Sequence, residues 1–160
     1  MKPFASLNPG TSKLTRAGLI AALYAALCLV LQPISYGPLQ FRAAEALTVL
    51  PIFFPEAVPG LFVGCLIANI MSPVGLVDVI GGSLVTLAAA YLTRVLRRSF
   101  LAYLSPIVLN GFLVSLYLHM FFKLPYWITV LYIGASEAAV VLLLGVPLAA
   151  YLNRHQDLFL

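Results

Sequence analysis

The side chains able to do chemistry in this 160-residue chain are few and scattered. Gln40, Arg42 and Glu45 fall together in the stretch SYGPLQFRAAEALT (35–48), where Gly37 and Pro38 bend the backbone. Asn69, Asp78, Asn110 and Glu137 follow singly, each inside or at the edge of an apolar run. Carboxylates accept hydrogen bonds, amides donate and accept, and a guanidinium only donates. Such a set can recognise a polar molecule, but it does not make a reaction centre. No GxxxxGK[ST] phosphate loop occurs, the only lysines being Lys2, Lys13 and Lys123. HExxH, GxSxG and Ser/His or paired-Asp protease arrangements are also missing. Cys28 and Cys65 sit in apolar runs without metal-ligand spacing. The expectation is a binding protein that is not an enzyme and has no cofactor or metal.

The elements that position these groups belong to a membrane protein. Hydrophobic residues make up 62% of the chain and charged ones 9%, against roughly a quarter charged in a soluble domain. A water-facing surface cannot be coated from that composition, so the class is all-α integral membrane protein. The net charge of +4 does not indicate nucleic acid, because the basic residues are few and sit at the ends of apolar runs.

Four runs, roughly 14–33, 75–96, 99–122 and 127–152, match the ~20 residues a helix needs to cross a bilayer. Between the first two lies 43–72, cut by Pro51, Pro55 and Pro59. Proline removes a backbone donor and clashes with the preceding turn, which predicts two short helices, 43–54 and 56–72, joined at FPEAVP. Lys2, Lys13, Arg16, Arg94, Arg97, Arg98 and Arg154 then fall on one side and only Arg42 and Lys123 on the other. That bias puts both termini in the cytoplasm and requires 43–72 to return to the side it left. Six spans fit, as do four with a re-entrant pair.

With this topology every polar group named above lies in the outer half or at mid-depth, which predicts an outward-facing pocket. A carboxylate at the bilayer centre costs about 2.5–3.5 kcal/mol, and Glu137 has no basic partner on its own helix. Two readings are open for Glu137, Asp78 and Glu45: ligand contacts, or acids that snorkel or share a proton. Arg42 is either a topology residue or a ligand contact. Gly81 and Gly82 beside Asp78, and Gly134 beside Glu137, leave gaps for a flat ligand or for close helix packing. Small-residue stripes at Ala17, Ala21, Ala25, with Ala22 and Ala26 alongside, and at Ala57, Gly60, Gly64, Ala68 serve either internal packing or docking of another membrane protein.

The segments ISYGPLQFRAAEALTVLP (34–51), PGLFVGCLIANIMSPVGLVDVIGGSLVTLAAAYL (59–92), LNG (109–111) and GASEA (134–138) resemble the QueT family. These are queuosine-precursor transporters, S components of energy-coupling factor (ECF) transporters, and the resemblance runs from about residue 13 to 152. It implies a six-helix substrate-binding domain (13–153) in the bacterial plasma membrane, between cytoplasmic tails 1–12 and 154–160. It also implies docking through Ala17, Ala21 and Ala25 to a transmembrane coupling protein driven by two ATPases, with ATP bound only by those partners. The implied cargo is a 7-deazaguanine: preQ0, preQ1 or queuine.

The edge of such a ring offers two donors, for which a carboxylate is the matching acceptor. Glu137 is the first candidate, and Glu45 or Asp78 the second. Asn110, Asn69 or Gln40 would donate to the ring carbonyl, and Tyr36, Tyr117 or Phe41 would stack on its face. Arg42 lines the rim, and loop 34–42 is expected to cover the ligand. An S component for another vitamin or nucleobase is the alternative, and a non-transport scaffold a weaker one, since a scaffold gains nothing from buried acids.

Overall fold

In lipid a chain must satisfy its backbone polar groups internally, and the apolar runs do so as helices. The computed structural model describes residues 9–36 and 41–155. In chain order the helices are α1 (Pro9–Val30), α2 (Ala43–Ile52), α3 (Ala57–Asn69), α4 (Asp78–Val95), α5 (Leu101–Phe122) and α6 (Tyr126–Arg154). A single turn, Gln32–Ser35, extends α1. No strand occurs among the described residues. The helices α1, α4, α5 and α6 are long and apolar enough to cross a membrane, while α2 and α3 are shorter. Leu14, Leu19, Val30, Leu76, Trp127, Leu131 and Leu143 stand exposed, the lipid-facing coat of a multi-pass membrane protein.

α1 begins at Pro9, ahead of the start expected near residue 14, because proline suits the first turn of a helix, where its missing N–H leaves no bond unmade. α2 is wound as a 3₁₀-helix with Pro51 inside it. At about 2.0 Å rise per residue it reaches further than an α-helix of equal length, about 20 Å rather than about 15 Å.

The return of the chain at FPEAVP is present. Arg94 Nη1 donates to the Pro51 and Ile52 carbonyls, 3.1 Å each, and so satisfies the end of α2. Arg16 pairs with Glu56 at 3.4 Å and lies over the Phe54 ring. Arg97 and Asn153 line a shared cavity with Ile52 and Phe53. One end of the bundle thus collects the α2–α3 turn and arginines from α1, α4 and the α4–α5 turn.

The two small-residue stripes prove to be each other's partners. A Cβ on Gly60 would lie 2.7 Å from the Ala17 carbonyl oxygen, and one on Gly64 2.7 Å from that of Ala21. Ala21 and Ala25 are buried and Ala17 is half-buried. Ala17, Ala21 and Ala25 thus face into the chain, the internal-packing alternative, and the small residues that α1 exposes are Gly18, Ala22 and Ala26. Gly64→Ala should lower stability by about 1–3 kcal/mol, since a backbone carbonyl cannot swing aside. Gly18→Ala, whose Cβ would meet nothing within 4 Å, is the control. Equal melting temperatures for the two variants in detergent would refute the seam.

Candidate functional site

Every helix contributes a polar side chain to the interior, most of them away from the arginine end. Asn69 closes α3 and Asp78 opens α4, and the turn between them passes through Gly75 at φ +75°, a conformation that glycine adopts without strain. Asn69 Nδ2 closes this turn by donating to the Asp78 carbonyl at 2.9 Å. It also lies 3.3 Å from Cys65 Sγ, which contacts Thr86 Oγ1 at 3.3 Å.

Asp78 is fully buried and holds an ion pair. Its Oδ2 accepts from Arg42 Nη2 at 2.8 Å, and its Oδ1 accepts from the Tyr117 hydroxyl at 2.5 Å. Arg42, at the N-terminus of α2, is itself buried and lies over the Tyr36 ring, 5.4 Å from its centroid. Tyr36 in turn donates to the Ala68 carbonyl at 2.5 Å. With both its oxygens engaged, Asp78 serves to hold Arg42 in the bundle.

The other two acids are buried as well. Glu137 Oε1 accepts from Asn110 Nδ2 at 2.9 Å, which pairs α6 with α5. Glu45, in the first turn of α2, accepts from the Tyr24 hydroxyl of α1. Glu137 lies within the electrostatic reach of both Glu45 and Arg42, so the two carboxylate pairs and the ion pair form one cluster. Five buried atoms have no hydrogen-bond partner among the described residues: Glu45 Oε2, Asn69 Oδ1, Arg42 Nε, Ser35 Oγ and Ser115 Oγ. Orphaned buried polar atoms are costly and rare in a closed core, which makes the surroundings of Glu45, Asn69 and Arg42 the candidate site.

Of the residues expected to bind, the structure joins Arg42, Asp78, Tyr117, Tyr36 and Asn69 in one network and Asn110 with Glu137 in a second. Phe41 is half-buried at the edge of the described chain, and Gln40, Gly37 and Pro38 lie outside the described residues. Two expected gaps turn out differently. A Cβ on Gly81 would meet the Tyr117 ring at 3.3 Å, and one on Gly82 would strike Asp78 Oδ1 at 2.7 Å, so the space beside Asp78 is filled by the network itself. Beside Glu137 the space at Gly134 is open, with nothing within 4 Å of a built Cβ.

Sequence reasoning missed Tyr24, Ser83 and Ser115. The signal for Tyr24 was available: it follows Ala21 by three positions on the inward face of α1. The serines were hidden by backbone geometry. α4, α5 and α6 contain π turns at Asp78–Gly82, Asn110–Val114 and Val141–Gly145, and the first two start on a site residue. A π turn inserts an extra residue and is found mostly at functional sites. It keeps Asp78 and Ser83, and likewise Asn110 and Ser115, buried together although five positions separate them.

Membrane-length helices closed around buried acids, amides and an arginine define a multi-pass membrane protein of the transport class. The chain belongs to the QueT transporter family, whose model matches residues 14–154. It is 39% identical over 79 residues to a queuosine precursor transporter, QueT, of Lactococcus lactis subsp. cremoris (strain MG1363). That match covers 48% of this chain and 46% of the relative, about half the length of each. No solved structure matches the chain.

Proposed function

We propose that this chain is the substrate-binding S component of an ECF transporter, capturing a queuosine precursor of the 7-deazaguanine class from outside a bacterial cell. The observation that carries the reading is the buried cluster of Glu45, Glu137, Asn69, Asn110 and Arg42 with its orphaned hydrogen-bonding atoms. Glu137, fixed by Asn110 on one oxygen, reads the two ring donors. Asn110 meets the ring carbonyl, and Tyr36, Tyr117 or Phe41 stacks on the face. Support for the cargo comes also from the name of the Lactococcus relative.

In this reading the chain spans the membrane six times with both termini cytoplasmic, the arginine end inside and the acid cluster outside. The loop 34–42, expected to cover the ligand, lies partly outside the described residues. A transmembrane coupling protein docks on α1, on the exposed row Gly18, Ala22 and Ala26, and two ATPases on that protein supply the energy. The purified chain should show a thermal shift with preQ0, preQ1 or queuine and none with riboflavin or thiamine. It should also co-purify with a coupling protein and its ATPases. A shift with riboflavin or thiamine alone would assign a different cargo, and no shift with any of the five together with no co-purification would remove the S-component reading.

A further inference from the structure

The proposed cargo class contains neutral and cationic members, and the buried charges distinguish between them. This inference rests on the 7-deazaguanine reading. The cluster holds three buried carboxylates, Glu45, Asp78 and Glu137, and one buried guanidinium, Arg42. Asp78 engages that guanidinium directly at 2.8 Å. Glu137 is held by an amide and Glu45 by a phenol, both neutral groups. Two carboxylates therefore lie within electrostatic reach of each other, with Arg42 acting on both only through space. Ionised carboxylates in that position are costly unless a cation joins them.

Glu45 carries the sharper signal. It is 2% exposed, and its Oε2 has no hydrogen-bond partner among the described residues. The remaining hydrogen-bonding capacity is rich in acceptors: Glu45 Oε2 and Asn69 Oδ1 stand against Arg42 Nε as the one donor that cannot also accept. The Asn69 orientation is fixed, since its nitrogen donates to the Asp78 carbonyl, which can only accept.

We propose that Glu45 Oε2 is the counter-ion for an ammonium group on the ligand, and that the chain selects 7-deazaguanines bearing a protonated aminomethyl substituent over the neutral nitrile. An ammonium brings three donors and a positive charge to this acceptor-rich, cation-poor site. A nitrile brings only an acceptor and would set its lone pair against the carboxylate.

The test is calorimetric titration of the full chain in lipid nanodiscs with preQ1, the aminomethyl compound, and preQ0, the nitrile. The wild type should bind preQ1 at least about tenfold more tightly, a modest share of what close charge pairs contribute. Glu45→Gln keeps the shape and an oxygen for Tyr24 to bond. It should weaken preQ1 by about tenfold or more and preQ0 by clearly less, so that the preference for preQ1 falls. An unchanged melting temperature in detergent serves as the check that the variant is folded. Tighter or equal preQ0 binding by the wild type, or a Glu45→Gln effect of the same size on both ligands, overturns the counter-ion role and leaves the cargo class standing. Failure of both ligands to bind the wild type overturns both.

Discussion

Glu137→Gln should weaken binding of every 7-deazaguanine by about 100-fold, equivalent to about 2.7 kcal/mol. Asn110 Nδ2 already donates to Oε1, and the glutamine carbonyl can keep that bond. The new NH₂ then takes the place of Oε2 and, in the proposed binding mode, faces the ring donors of the cargo. A charged acceptor, whose hydrogen bonds contribute about 1.5–3 kcal/mol each, is replaced by a donor opposed to donors. The α5–α6 pairing survives, so the loss appears in affinity and not in melting temperature. The effect is the same for preQ1 and preQ0, in contrast to Glu45→Gln, because both ligands share the ring edge. Wild-type affinity in the variant would show that Glu137 does not read the ligand.

The membrane class, the four long helices and the Pro-cut pair were legible because they follow from composition and from residues with strong backbone preferences. The proline cluster at 51–59 and the arginines at 94–98 together required the chain to turn back, and Arg94 bonds the very carbonyls that the turn exposes. The polar residues of the site were legible as residues, since each is expensive in an apolar setting. Their pairing was not. Nothing in the spacing links Arg42 to Asp78, or Tyr24 to Glu45, because these contacts depend on which helices are neighbours.

The α1 stripe shows the same limit from the other direction. Ala17, Ala21 and Ala25 announce close approach, but the sequence does not say whether the approaching helix is internal. Gly60 and Gly64, with the same four-residue spacing, turn out to fill that role. The serines at 83 and 115 failed for a different reason. A period of 3.6 assigns them to the wrong face, and only the π turns bring them back into phase.

Arg42→Met should lower stability by about 3–5 kcal/mol, the usual penalty for removing one partner of a buried ion pair. Asp78 would keep only the Tyr117 hydroxyl while remaining fully buried. The loss comes mainly from the carboxylate left behind and only in small part from the missing attraction. Adding Asp78→Asn should therefore recover most of it, because a neutral amide oxygen can still accept from Tyr117. A coupling of several kcal/mol between the two substitutions in detergent unfolding is the expected outcome. Binding should not recover with stability. The double variant lacks Arg42 Nε, the one orphaned atom of the cluster that can only donate, and it also lacks the cation that acts on both Glu45 and Glu137. Additive destabilisation by the two substitutions would mean that the ion pair does not anchor α2 to α4. Full binding by the stabilised double variant would mean that Arg42 holds the bundle together and takes no part in recognising the cargo.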